Sequence, residues 1–396
     1  MLSRIAILSA EFPAHWHTYI VDQGRDFQMR GAEVRYLTTR APKPEFRSAD
    51  LLGRTGGVHA LFPPRAADLL EFLRHPARIP KALGYIGRAR GGIRARLRLL
   101  ALVPCAGALI RAAKDAGAQV ALVHSFGDAA HVAALAQRCA GLPYALTLHG
   151  PLAVWGEDIG LKTAGATRLF AVAAPLEREL GETCPGIPTS LVSMGVDLGR
   201  FPYAVRSPRA RGEPLRLATI ARLHESKGHT HVLAAVKRLR DEGLAVRYRV
   251  AGNGPRRAEI EARIAELGLG DRVELLGALA SEQVAALLAE TDALVLASVG
   301  EGEAAPVSVM EAMASGVPAI CSRIGGTPEM IETGVDGILV DQRDEAGLAE
   351  AIRLLANCPD LAARMSARAR RTAEERFETG ALSARVLDLL SADLSL

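Results

Sequence analysis

At 396 residues with 49% hydrophobic side chains, the chain is too long for one ordinary domain and apolar enough to bury two cores. A formal net charge of only +4 gives no general case for nucleic acid as a partner, although the charge is unevenly distributed. The five cysteines are dispersed without a C-x-x-C pair or ligand spacing, which argues against a disulfide framework or zinc site and fits a reducing cytoplasm.

The N-terminus "MLSRIAILSAEFP" carries an apolar run too short for a signal peptide and meets a Glu and a Pro at once, so it reads as a first strand. Strand-like runs follow at "VRYLT", "VALVH" and "YALTLH", separated by helical or irregular sequence, which is the grammar of βαβ units. The longest apolar stretch, "LLALVPCAGALI" at 99–110, falls far short of the ~20 residues of a membrane span. The chain therefore reads as soluble or peripheral.

Hydrophobic periodicity disappears in "SMGVDLGRFPYAVRSPRARGEP" and restarts with "LRLATIA", "YRVAG", "RVELLG", "ALVLAS", "PAICS" and "GILV". The expected organisation is a domain over 1–204, a second over 205–376, and a C-terminal amphipathic helix within 377–396 that packs back on one of them, the N-terminal domain being one choice. The fold class is α/β, with two Rossmann-like, doubly wound domains. Parallel sheets of this kind bind ligands beyond the carboxyl ends of their strands, in a cleft when two face each other.

The stretch "EGEAAPVSVMEAMASGVPAICSRIGGTPEM" places Glu303 on a loop and Glu311 inside a helix that begins at Pro306, where the missing N–H of Pro is no loss. A helix start offers amide donors and a partial positive charge to an anion such as a diphosphate. Three readings of the acid pair stand at this point. A glycosidase pair needs carboxyl groups ~5–9.5 Å apart, and the loop leaves that distance open. Alternatively the two carboxylates accept hydrogen bonds from different hydroxyls of one polyol ligand. The bland reading makes one acid solvated and the other an ordinary helix residue.

The same stretch resembles the signature of retaining nucleotide-sugar glycosyltransferases of the GT-B fold, in particular glycosyltransferase family 4. The resemblance is carried by E-x7-E as "EAAPVSVME", then "AMASGVPAI", "GGTPEMI" and "GVDGILV". It extends to "ATIARLHESKG", "VAGNGPRRAEIEA", "DRVELLGAL" and "SMGVDLGRF", and "SAEFPAHWHTYIVDQ" looks like the start of exopolysaccharide and colanic-acid-type members. Two departures stand out: no Gly-Gly loop follows the first strand, and Ala304 and Ala305 occupy positions where many members have Gly or a bulky apolar residue.

The resemblance implies that Glu311 holds the nucleoside of a UDP- or GDP-sugar, that Glu303 and His149 orient the sugar, and that Arg222 and Lys227 bind the departing diphosphate. Ala304, Ala305, Gly325, Gly326 and Thr327 would approach the donor. His124, His15 and His17 are further candidate contacts. Arg222 and Lys227, a cation pair near a helix start, make an anion site on their own account. The chain contains no D-x-D, the usual carboxylate anchor for a divalent metal, so no metal or cofactor is expected and fixed cations would take its place. "GNGPRR" at 252–257 fails the dinucleotide fingerprint for want of a third Gly.

Residues 72–114 contain no acid, while cations from Arg74 to Arg98 fall among Leu, Ile and Tyr. That pattern points to an anionic membrane surface, with a solvated basic helix as the plain alternative. The expected activity is sugar transfer from a nucleotide-diphosphate donor to a glycan or lipid-linked hydroxyl, in the cytoplasm or on the inner face of the membrane. An epimerase or hydrolase acting on the donor alone, and a non-catalytic nucleotide-sugar-binding protein, are the rivals.

Overall fold

The first sheet is seven-stranded and entirely parallel, built from β1 Arg4–Ser9, β2 Glu33–Thr38, β3 His59–Ala60, β4 Val120–Val123, β5 Tyr144–Leu148, β6 Arg168–Ala171 and β7 Thr189–Leu191 in the order β3-β2-β1-β4-β5-β6-β7. The second is a six-stranded parallel sheet of β8 Leu215–Ile220, β9 Val246–Ala251, β10 Val273–Gly277, β11 Ala293–Leu296, β12 Ala319–Ser322 and β13 Gly337–Val340, ordered β10-β9-β8-β11-β12-β13. This computed structural model describes residues 2–205, 213–301 and 303–396. The Arg-rich part of the expected linker and Gly302 lie outside the described residues.

Helices cover both faces of each sheet, which is why the central strands are continuous apolar runs: every residue of β4, β5, β11 and β12 is buried. Each sheet has its own core. In the first, Ile5, Ile7, Val120 and Leu122 pack with Ile20 and Phe27; in the second, Leu217, Val250 and Val295 pack with Val232, Val236 and Ile352.

The chain divides into one unit of Met1–Ser193 with Gly380–Leu396 and another of Met194–Thr379. The change falls upstream of the position near 205 expected from composition. The reason is packing: Phe201 is buried, its carbonyl accepts from Arg370 Nη1 at 3.0 Å, and the Tyr203 ring lies where a Cβ on Gly316 would go. The two segments that pass between units run side by side, with Val196 N donating to Phe377 O at 2.7 Å and Thr379 N to Val196 O at 3.2 Å.

The helix Thr379–Asp393 belongs to the first unit. It places Val386 and Leu390 in that core, and Asp393 receives a two-pronged contact from Arg168 at 2.7 and 2.6 Å.

Candidate functional site

The order of the second sheet reverses between β8 and β11, the place where open α/β sheets bind their ligands. Three loops meet there, following β8, β11 and β12. After β8 the chain turns through a short 3-10 segment, Glu225–Lys227, and Gly228 at φ +64. A Cβ on Gly228 would lie 1.8 Å from the Ala297 carbonyl, so only glycine lets this turn close on the end of β11. Val299 N donates to Ser226 O at 2.9 Å and joins the two loops.

That joint brings Lys227 to Glu303. The Lys227 ammonium contacts Glu303 Oε2, and Ser298 Oγ donates to the same oxygen at 2.7 Å. The loop after β12 holds the other side: Gly326 N donates to Ala304 O at 2.6 Å, and a Cβ on Gly325 would fall 1.7 Å from the Glu303 carbonyl. Ala304 and Ala305 are buried against this loop region. Burial, followed by the nearby Glu303 charge, pushes the Cys321 thiol far above its usual range.

Arg222 lies on the loop after β8, where its carbonyl accepts from the buried His229 Nε2 at 2.9 Å. Burial is the largest influence on His229 and lowers its pKa, so the ring stays neutral and keeps this loop in place. The glycines of "GNGPRR" serve the same loop. Side chains at Gly252 and Gly254 would strike the carbonyls of Ala221 and Leu223 at 1.9 and 2.3 Å, while Leu223 N donates to Asn253 O at 3.0 Å. Close backbone approach, not a dinucleotide, accounts for them.

Glu311 is buried in the helix Val307–Ala314, and Pro306 stands at its N-cap. The Thr327 side chain is held by its own loop. Its hydroxyl donates to Ser322 O at 2.7 Å and accepts from Ile324 N at 3.0 Å, so its side chain is occupied in shaping the loop. Among the described residues no group of three or more His, Cys, Asp or Glu is placed to hold a metal.

The first sheet reverses between β1 and β4, and the histidines collect there. His124 follows β4 and His149 follows β5; His124 Nδ1 and His149 Nε2 are hydrogen-bonded at 3.1 Å, with the rings stacked 5.3 Å apart. The Tyr19 ring lies 4.9 Å from His149. His17 joins the edge of the cluster, its Nδ1 accepting from Ala14 N at 3.0 Å, while its ring lies 5.5 Å from that of Phe12. His15 is exposed, and among the described residues no ring contact joins it to the other three.

Burial holds these rings neutral. It pushes His17 and His149 down to about 3, with the His149 charge adding to the effect on His17, and lowers His124 well below the usual range. In the neutral pair one proton occupies the shared bond, so the outer nitrogens present one donor and one acceptor whichever way that bond runs. Those outer atoms, His124 Nε2 and His149 Nδ1, are buried and have no hydrogen-bond partner among the described residues. An alcohol, which both donates and accepts, suits either one.

Sequence reasoning missed Ser298 and Tyr19. Ser298 only marked the end of a strand and Tyr19 lay in a loop-to-helix segment, and nothing in their local sequence announces Glu303 or His149 as a neighbour.

Residues 204–372 match the family model described as Glycosyl transferases group 1. The chain is 34% identical over 212 residues to the putative colanic acid biosynthesis glycosyltransferase WcaL of Salmonella typhimurium, covering 52% of each. It is 35% identical over 170 residues to the amylovoran biosynthesis glycosyltransferase AmsK of Erwinia amylovora, covering 42% of this chain and 41% of that one. The chain thus spans about half the length of the curated relatives it matches. Among solved structures, a glycosyltransferase from Rickettsia africae superposes with a TM-score of 0.76 at 15% identity over 99% of both chains. Anabaena Alr3699/HepE in complex with UDP-glucose does so at 0.75 and 18% identity, over 98% of this chain and 99% of that one. At these identities the likeness concerns the fold, which is GT-B.

Proposed function

We propose that this chain, whose residues 204–372 form a glycosyl transferases group 1 domain, moves a sugar from a nucleotide-diphosphate donor to a hydroxyl of a glycan or lipid-linked acceptor during surface polysaccharide assembly. The observation that carries the reading is the convergence of Lys227 and Ser298 on one carboxylate oxygen of Glu303 at the switch point of the second sheet. It sets a cation, a carboxylate and the amino end of the helix Val307–Ala314 beside one another. Cation and helix end suit a diphosphate; the carboxylate suits sugar hydroxyls.

In this reading Arg222 and Lys227 stabilise the charge that grows on the leaving diphosphate, and Glu311 accepts from the ribose diol. Glu303 orients the donor sugar, and the backbone of Ala304, Ala305, Gly325 and Gly326 shapes the surface beside it. On the first unit, His124 and His149 offer neutral nitrogens to substrate hydroxyls. The acceptor hydroxyl attacks on the face the diphosphate leaves, and the departing phosphate oxygen takes its proton, so configuration is retained without a covalent enzyme intermediate. Fixed cations replace a metal. The relatives named for colanic acid and amylovoran synthesis and a fold neighbour that binds UDP-glucose support this choice of substrate class. The enzyme meets its acceptor at the inner face of the membrane through the basic segment 74–98.

The test is thermal stabilisation by UDP, GDP and ADP and their sugar conjugates in EDTA, where a ligand at 100 times its dissociation constant adds ~2.7 kcal/mol. A selective shift by one nucleotide family is expected. A shift seen only after magnesium is restored overturns the metal-free part, and no shift under either condition overturns the donor site. The anomeric configuration of the product, read by proton NMR, tests retention.

A further inference from the structure

The helix Ala66–Leu73 of the first unit is built inside out. Its two acids are buried, Asp68 at 2% exposure and Glu71 at 7%, whereas Leu69, Leu70 and Leu73 face solvent, the last at 66%. Each buried acid has its own cation: Arg111 reaches Asp68 Oδ1 at 3.0 and 2.6 Å, and Arg78 reaches Glu71 Oε1 at 2.6 Å. Negative charge has been drawn inward while leucine is left outside, the reverse of what an aqueous helix does.

The next two helices continue the surface. In Arg78–Gly87, Ala82, Tyr85 and Ile86 are buried, while Ile79 and Leu83, one turn apart, are exposed. In the long helix Gly92–Ala116 the core-facing residues cluster from Leu99 onward; its first turns expose Ile93, Leu97 and Leu100 at i, i+4 and i+7, a single stripe. Ile93 is 69% and Leu97 58% exposed. Arg94 and Arg96 stand on either side of this stripe and are exposed. Arg98, itself exposed, pairs with Asp128 at 2.7 Å, and Arg78 pairs with Glu71; the other exposed cations of the surface are Arg74, Lys81, Arg88, Arg90, Arg94 and Arg96.

Apolar side chains in this number on a water-facing surface mark an interaction site. A second copy of this chain is disfavoured as occupant, because two such faces would bring their arginines together. An aqueous acidic protein would answer the cations but not a stripe of Ile and Leu flanked by arginine. No helix among the described residues is long and apolar enough to cross a bilayer, so the surface can lie only on it.

We infer that the exposed faces of Ala66–Leu73, Arg78–Gly87 and the first turns of Gly92–Ala116 dock on an anionic lipid bilayer, their Leu and Ile side chains entering the acyl boundary while the arginines engage headgroup phosphates. This deepens the membrane part of the proposed function and depends on it for which membrane is met, but lipid binding itself needs no turnover.

The experiment is co-sedimentation of the full chain with phosphatidylcholine vesicles, with and without phosphatidylglycerol, at low salt and at ~1 M salt, where screening shortens to ~3 Å. The full chain is expected to sediment with the anionic vesicles and to retain part of that binding at high salt. Arg94→Gln/Arg96→Gln should weaken low-salt binding at least tenfold, since each cation near an anionic surface contributes appreciably. Leu73→Ser/Ile93→Ser/Leu97→Ser should abolish the salt-resistant part; these side chains are exposed, so folding is expected to survive and is checked by thermal denaturation. No sedimentation of the parent, or serine-variant binding equal to the parent's at both salts, overturns the inference. So does a parent dimer that the serine variant converts to monomer without any lipid binding. Stabilisation by UDP is read in parallel: loss of vesicle binding with UDP stabilisation intact sinks this inference alone, and the opposite result sinks the donor site alone.

Discussion

Glu303 holds Lys227, so a diphosphate that recruits this lysine must take it from the carboxylate. The side chains of the pair are 17% and 9% exposed, between the solvated case, where an ion pair contributes ~0–1 kcal/mol, and the buried one, where breaking it costs ~3–5. Lys227 can turn toward water when released, so ~1–2 kcal/mol is a reasonable value, equivalent to about tenfold in affinity. Glu303→Ala is therefore expected to bind UDP about tenfold more tightly while losing turnover, and Lys227→Ala to bind UDP at least tenfold more weakly. UDP-glucose should gain less than UDP from Glu303→Ala, because its sugar hydroxyls lose their acceptor. Isothermal titration calorimetry of both ligands against both variants, in EDTA, gives the four numbers. Equal weakening of UDP in the two variants would refute the reasoning and make Glu303 a support for the diphosphate, not a competitor for its cation.

Two further expectations follow from the geometry. Gly325→Ala and Gly334→Ala both place alanine at positive φ, +55 and +85, but a Cβ at 325 meets the Glu303 carbonyl and one at 334 meets nothing. Both should cost ~1–2 kcal/mol for the left-handed conformation, and Gly325→Ala ~1–3 kcal/mol more for displaced backbone; equal urea midpoints would show that the loop after β12 yields freely. The buried histidines should make stability fall in mild acid. Their folded pKa values lie below the ordinary one, so the unfolded chain takes up protons first as pH drops, and stability that is complete above ~6.5 is lost toward the folded values of about 3. Each such ring contributes up to ~1.4 kcal/mol per pH unit in that window, and His149→Gln should flatten the profile of melting temperature against pH by up to one ring's share. An unchanged slope would mean that the ring is protonated in the native state.

The sequence by itself determined ten strands as short, mainly apolar runs between helix-length segments; β4 and β11 are apolar throughout because they are buried on both faces, while β2 and β9 carry charged residues at exposed or half-buried positions. It missed β3, β6 and β7: two of them are edge strands of two and three residues, and "RLFA" runs on into further apolar residues without a period that separates strand from helix. It also determined which residues were worth watching at the second sheet, since Lys227, Glu303, Gly325 and Gly326 lie in recognisable stretches.

Tertiary structure alone decided who meets whom. Nothing local announces that Gly228 must be glycine to close on Ala297, that Ser298 shares an oxygen of Glu303 with Lys227, or that Thr327 spends its hydroxyl on its own loop. The same holds for the histidines, where His17, His124 and His149 look equally isolated beside His15 until strands β1, β4 and β5 are laid side by side. The basic segment shows the difference most clearly. Its sequence gives only the sign of the charge; the inversion of Ala66–Leu73, acids inward and leucines outward, exists only once Arg111 and Arg78 have been packed beneath it. Backbone pattern is a one-dimensional property, whereas hydrogen bonds and ion pairs between distant loops depend on strand order, and strand order is set by the packing of the whole sheet.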